Sequence, residues 1–316
     1  MESVWLIGTG LIGTEYAKIL KHLNVDFISI GRGNKNSEIF EKKVGSKPRN
    51  GGLAKFITEK PELPSCAIVA VGVDVLAETA KMLLNYGVNK ILLEKPGVAS
   101  LAEMEELSLL AESKNATVLL AYNRRFYSSV LQAEKIIKED GGITSFHFEF
   151  TEWSHVIEKL DKAEITLQNW FLANSSHVVD TAFFLGSKPC TIATFRKGGT
   201  AWHPSGAIFA GAGETVNGAL FSYQANWEAP GRWAIELLTR YHRLYLKPME
   251  SLQIQEIGSV SVNSVSLDDQ LDKEFKPGFY LQTKAFVDGD YTRFCSLKMQ
   301  QENIDNYYSP MSGYKK

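Results

Sequence analysis

One turn constrains this chain more than any other feature: Gly8-Thr9-Gly10-Leu11-Ile12-Gly13, set between the apolar run 4–7 and a stretch of helical period over residues 13–23. In this spacing the first glycine permits a tight turn out of a strand. The second lets backbone approach a bound group, and the third lets helix and strand pack closely. The helix amino terminus then presents unpaired N–H groups and partial positive charge, which suits an anion such as a pyrophosphate. Glycine turns are common, and the weight here comes from the position between a strand and a helix. The turn points to dinucleotide binding, against a bare structural turn.

Short apolar runs and helical periods alternate as far as residue 121, with strands expected at 4–7, 25–30, 66–71, 91–93 and 118–121. Asp74 is placed to cap a helix carrying Leu76, Ala80 and Leu83 on one face, and Gly87 to end it. Ser100 and Glu103 form a capping box for a helix with Leu101, Met104, Leu107 and Leu110. Such alternation means a parallel sheet with helices on both faces. Ligands of such sheets gather at the carboxyl ends of the strands. The glycine turn and Glu94-Lys95-Pro96 are therefore expected at one edge. Gly31, Val71 and Gly72, at neighbouring strand ends, join Gly8, Thr9, Gly10, Leu11, Ile12, Gly13, Glu94 and Lys95 as candidate cofactor contacts.

The end of the second strand decides which dinucleotide fits. A carboxylate there would bond the ribose 2′-hydroxyl, whereas an arginine suits a 2′-phosphate. The chain reads Ser29-Ile30-Gly31-Arg32-Gly33-Asn34, with no acid before Glu38. NADP is favoured over NAD, with Arg32 at the 2′-phosphate and Lys35 beside it; the rival reading is a solvated arginine. Residues 31–63 carry no confident assignment.

After Tyr122 the pattern changes. A helix with Val130, Ala133 and Ile137 on one face is stopped by Gly141-Gly142, and strand-like stretches follow at 143–151, 191–196, 207–211, 216–227, 233–238, 243–246, 252–257 and 260–265. Many alternate apolar and polar residues, which suits an antiparallel sheet with one face covered. Helices are expected at 176–185 and 279–287. The expected fold is α/β: a Rossmann domain with a doubly wound parallel sheet (1–121), then an α+β domain with a large, mostly antiparallel open sheet (122–316). A length of 316 residues suits two domains of about 100–200 residues.

Composition excludes more than it specifies. A formal net charge of −2 gives no reason to expect nucleic acid or an acidic membrane as partner. Cys66, Cys190 and Cys295 lie far apart, and neither they nor the six histidines show metal-ligand spacing, so no catalytic metal is expected. No apolar run approaches the roughly 20 residues that span a bilayer, and no signal peptide is read before the first strand. The expectation is a cytoplasmic protein.

Taken in order, the glycine turn, Glu94-Lys95-Pro96, Tyr122-Asn123-Arg124-Arg125-Phe126 and His177-Val178-Val179-Asp180 resemble the Gfo/Idh/MocA family of sugar, inositol and nucleotide-sugar oxidoreductases. The resemblance runs over most of the chain, and residues 243–250 and 275–279 look like elements of the carbohydrate-modifying members. It implies that the open sheet forms an oligomer interface, in a homodimer or homotetramer. It also implies that Lys95 reaches nicotinamide and substrate, and that Lys95–Pro96 is a cis bond. Family members carry an aspartate four residues before the histidine; here that position is Ala173, followed by Asn174.

On this resemblance His177 is the candidate acid–base group, since an imidazole titrates near working pH. Asp180, three residues on, is placed to orient the ring. Lys95 would stabilise negative charge developing on the reacting oxygen, the alternative being a lysine that merely pairs with Glu94. Asn123 and Arg124 are candidates for nicotinamide or substrate, Arg125 for structure, and Asn174 for a hydrogen bond to substrate. Trp153, Trp170, Trp202 and Trp227 compete for the aromatic face of a sugar site, and Lys276 for an anionic group of the substrate. The expected function is an NAD(P)-dependent oxidoreductase passing a hydride between nicotinamide and a sugar or nucleotide-sugar hydroxyl or ketone, in carbohydrate or surface polysaccharide metabolism. The missing aspartate favours one alternative, a sensor of weakened catalysis on the same fold. A reductase of another small carbonyl compound is the other.

Overall fold

The structure, a computed structural model, describes residues 3–313. The chain divides into two compact units: residues up to 123 with 273–301, and 124–272 with the residues from 302 on. The sequence reading places a single boundary, at 121/122. The return of 273–301 to the first unit has no counterpart in period or composition.

In the first unit, β1 (Val4–Ile7), β2 (Phe27–Gly31), β3 (Arg49–Asn50), β4 (Cys66–Val69), β5 (Lys90–Leu93) and β6 (Thr117–Leu120) stand in the order β6-β5-β4-β1-β2-β3. They are parallel throughout, and the short strand Cys295–Ser296 adds antiparallel to β6. β1 and β4 are buried along their whole length, as a sheet covered on both faces requires. Helices Leu11–His22, Leu76–Tyr86 and Leu101–Ser113 lie where the period places them. Glu103 closes the capping box by accepting from the Ala99 and Ser100 N–H groups at 2.8 and 3.1 Å.

Two expectations are corrected here. Asp74 does not cap the helix that follows it: the Val75 N–H bonds the Gly72 carbonyl at 3.0 Å, winding Val73–Val75 into a 3-10 turn and leaving Val75 at the cap. The unassigned stretch 31–63 holds helices Asn34–Val44 and Gly52–Thr58. Each buries few apolar side chains, Phe40 and Val44 on one and Leu53 and Phe56 on the other, which is too narrow a stripe to read in sequence.

The second unit holds β7 (Ser145–Glu149), β8 (Pro189–Lys197), β9 (Ile208–Thr215), β10 (Leu220–Asn226), β11 (Ala234–Leu238), β12 (His242–Leu246), β13 (Gln253–Glu256) and β14 (Asn263–Ser264). Their order is β14-β13-β12-β11-β7-β10-β9-β8, antiparallel except where β10 runs parallel to β7. One face is aromatic: Phe146, Phe148 and Phe221 pack on Phe183 of helix Ser176–Gly186, with ring centroids 6.0, 5.5 and 5.1 Å apart. The other face mixes small and polar side chains, among them Ala212, Ser222 and His147 in one cross-strand row, with the exposed apolar Phe195 and Leu220. Of 260–265, only Asn263–Ser264 pairs as a strand. Among the described residues, no helix is long and apolar enough to cross a membrane.

Candidate functional site

β1 passes through the glycine turn into helix Leu11–His22, and the three glycines do different work. A β-carbon at Gly8 would stand 2.2 Å from the Ala70 carbonyl oxygen, and one at Gly13 2.0 Å from that of Gly8. Both positions exist for close backbone packing. A β-carbon at Gly10 would meet nothing within 4 Å. Gly10 therefore borders open space at a helix start that has neither a side-chain cap nor an acid in its first turn. Free N–H groups and open space in front of them are what a pyrophosphate needs, so these residues fit a dinucleotide.

Neighbouring strand ends meet the same turn. A β-carbon at Gly31 would touch the Thr9 hydroxyl at 2.8 Å, and Val71 Cγ1 lies 3.4 Å from a β-carbon built on Gly8. Arg32 is exposed at the end of β2, just before helix Asn34–Val44, whose start likewise has no side-chain cap. Ser37, Lys35 and Asn34 follow it, and none is acidic.

At the end of β5, Glu94 is bound into the unit. Tyr16 of the glycine-turn helix donates to Glu94 Oε1 at 2.8 Å, and Gln282 Nε2 of helix Phe279–Asp288 donates to the Tyr16 hydroxyl at 3.0 Å. Burial pushes the Glu94 carboxyl up, while Lys95, Tyr16 and Lys276 favour its charged form. Lys95 is half-buried beside it, and Lys95–Pro96 is cis. Asn123, after β6, is buried with its amide donating to the Pro277 carbonyl at 2.9 Å. Lys276 stands over the Phe279 ring at 4.6 Å.

The second unit gathers another set of groups. Glu152, just past β7, is 2% exposed. Its Oε1 accepts from Ser175 Oγ at 2.7 Å and Asn174 Nδ2 at 3.0 Å, its Oε2 from the same amide at 3.2 Å, and Arg232 Nη1 lies 4.0 Å from Oε2. Burial raises the Glu152 carboxyl to about 7, against the pull of Ser175, Asn174, Arg232 and Trp170. Asn174 and Ser175 belong to a π-helical turn, Phe171–Ser175, that runs straight into the His177 helix. Extra residues of this kind in a helix recur at functional sites.

Around this carboxyl, arginines and aromatic rings alternate. Arg232 lies 4.7 Å from the ring centroids of both Trp153 and Trp233, and Arg124 lies 4.6 Å from Trp233 and 5.6 Å from Tyr127. The Arg124 Nε is buried with no hydrogen-bond partner. Burial lowers the Arg124 guanidinium from its ordinary value, as does Arg232, while Glu250 and Glu152 oppose them. His177 is 7% exposed, its ring 6.1 Å from that of Trp233.

Several sequence candidates therefore come together, and others do not. Asp180 is paired with Arg125: both its oxygens take the buried guanidinium, Nε at 2.8 Å and Nη2 at 2.6 Å. Trp170, Trp202 and Trp227 are core residues, with Trp202 stacked on Trp227 at 5.4 Å and Trp170 edge-on to Trp202. Trp153 is exposed, its indole N–H donating to the Gly231 carbonyl at 3.0 Å. Sequence reasoning missed Glu152, Arg232 and Trp233. The available signal was an acid within Thr151-Glu152-Trp153, directly after a well-alternating strand. Among the described residues, no three His, Cys, Asp or Glu side chains group to hold a metal ion.

The GFO_IDH_MocA model, described as an oxidoreductase family with an NAD-binding Rossmann fold, matches residues 3–122. An uncharacterized oxidoreductase of Escherichia coli K12, YhhX, is 34% identical over 128 residues, which are 40% of this chain and 36% of that protein. The match thus reaches little more than a third of that relative. Among solved structures, levoglucosan dehydrogenase in complex with NADH is 16% identical, with a TM-score of 0.76 over 98% of this chain and 95% of the other. An inositol dehydrogenase homolog from Azotobacter vinelandii, complexed with NAD+, gives 16% identity and a TM-score of 0.73 over 98% and 95%. These two likenesses extend the shared fold through both units. Over residues 3–122 the chain is therefore similar to the Gfo/Idh/MocA oxidoreductases and their NAD-binding Rossmann fold.

Proposed function

We propose that the protein is a dehydrogenase or reductase that passes a hydride between a nicotinamide dinucleotide, NADP in preference to NAD, and a ring hydroxyl or ketone of a sugar or nucleotide-activated sugar. The observation that carries this reading is the open space at Gly10 before an uncapped helix start, with Lys95 at a strand end of the same sheet. A bound dinucleotide supplies the hydride acceptor or donor. The glycine turn holds its pyrophosphate through backbone N–H groups, and Arg32 takes the 2′-phosphate. Lys95 donates a hydrogen bond to the reacting oxygen and stabilises the charge that builds there. Asn123, Arg124, Trp153 and Asn174 make up the substrate-facing set, and His177 acts on the proton of the hydroxyl. The sugar class draws support from levoglucosan dehydrogenase and the inositol dehydrogenase homolog, together with exposed Trp153, an aromatic face of the kind a sugar ring packs on. The setting proposed is carbohydrate metabolism in the cytoplasm, by a homodimer or homotetramer.

The test is turnover of levoglucosan, myo-inositol and UDP-glucose with NAD+ and NADP+, followed at the absorbance of the reduced nicotinamide. Lys95→Ala should abolish turnover while leaving most of the cofactor affinity; unchanged kinetics would remove Lys95 from the reaction. Arg32→Ala should weaken NADPH far more than NADH, and equal losses would remove the 2′-phosphate role.

A further inference from the structure

A guanidinium carries five N–H donors and keeps its charge, so one drawn into a fold normally donates to a carboxylate or a carbonyl. Two arginines of the second unit do not. Arg124 is half-buried, with its Nε covered and unpartnered. Arg232 Nη1 stays 4.0 Å from Glu152 Oε2, too far for a hydrogen bond. Among the described residues, neither guanidinium donates a hydrogen bond. What surrounds them is aromatic. The Trp233 ring centroid lies 4.6 Å from the Arg124 guanidinium and 4.7 Å from that of Arg232, with Tyr127 5.6 Å from the first and Trp153 4.7 Å from the second. An aromatic face offsets part of a cation's charge but takes none of these donors. The nearby acids do not complete the pairing. Both Glu152 oxygens are held by Asn174 and Ser175, and burial raises that carboxyl to about 7, so near neutrality much of it is uncharged. Glu250 is exposed and favours the Arg124 charge without an ion pair, while Arg232 disfavours it. Two cations gathered at one ring are stabilised by an anion that reaches both.

We propose that Arg124 and Arg232 form an oxyanion subsite of the second unit, which takes the carboxylate or phosphate group of an acidic sugar. Both groups present the two-oxygen edge that a guanidinium fork fits. Arg232 has 48% of its side chain accessible, so a ligand in solution reaches the pair. Trp153, exposed beside the same guanidinium, supplies an aromatic surface for the sugar ring. The sugar rests on the function proposed above. The anion subsite does not, because every group that makes it lies within residues 124–272.

Isothermal titration calorimetry on the full-length, cofactor-free protein tests this with glucuronate, glucose 6-phosphate, glucose, acetate and inorganic phosphate. Glucuronate or glucose 6-phosphate should bind at least about tenfold more tightly than glucose, and the tighter of the two identifies the group as carboxylate or phosphate. Arg232→Gln, at an accessible side chain, should lose at least about tenfold of that affinity while melting as the wild type does by circular dichroism. Arg124→Lys keeps the charge but loses the fork, and should weaken the same ligand. No preference for the acidic sugars over glucose would overturn the subsite, as would anion affinity that Arg232→Gln leaves unchanged. Acetate or phosphate bound as tightly as the acidic sugars, and lost in Arg232→Gln, would keep the subsite and remove the sugar.

Discussion

At Gly13 a β-carbon would collide with the Gly8 carbonyl oxygen at 2.0 Å, whereas at Gly10 it would meet nothing within 4 Å. The same residue type thus serves packing at one position and a ligand at the other. Gly13→Ala must displace backbone, and should cost about 2–4 kcal/mol in urea unfolding. Gly10→Ala should unfold within about 1 kcal/mol of wild type yet lose most of its NADP(H) affinity by fluorescence titration. Equal stability losses at both positions would show that Gly10 serves packing. Glu152 allows a test of burial itself. At low pH the carboxyl is protonated in the folded and unfolded states alike and costs nothing. With a folded value of about 7 against the ordinary 4.5, stability is lost as pH rises through 7. Glu152→Gln cannot ionise, so its stability should approach wild type near pH 4.5 and exceed it by up to about 3 kcal/mol above pH 8. A difference independent of pH would mean that the carboxyl is not held up by burial.

Among elements, the helix Ser176–Gly186 shows how far a local reading carries. Its extent was legible, and Phe183 meets the second sheet. The partner of Asp180 was not, because Arg125 arrives from a 3-10 turn 55 residues earlier in the chain. Asp180→Asn leaves the Arg125 charge buried without its counter-ion, and should cost about 3–5 kcal/mol in chemical denaturation. A loss below about 1 kcal/mol would mean that Arg125 finds solvent instead. The π-turn Phe171–Ser175 was equally hidden. Its register turns Asn174 and Ser175 toward Glu152, and a 3.6-residue period does not register such a shift.

For the molecule as a whole, the outer face of the second sheet has a direct test. Ala212 and Ser222 are paired across β9 and β10 and both are exposed. Sedimentation equilibrium should give a dimer or tetramer for the wild type and a monomer for the Ala212→Arg, Ser222→Arg variant; a monomeric wild type would end the proposal of self-association through this face. The sequence alone determined the parallel sheet, most of its strands and helices along the chain, the glycine turn, the capping box at Ser100 and the apolar–polar alternation of the second sheet. All of these are local patterns, in which a residue's neighbours in the chain are also its neighbours in space. What only the tertiary structure decided is the surroundings of single side chains. It paired Asp180 with Arg125, put three of four candidate tryptophans in the core, returned residues 273–301 to the first unit and buried a carboxyl at Glu152. Burial and charge act through distances between residues far apart in the chain, and no spacing along the sequence encodes those distances.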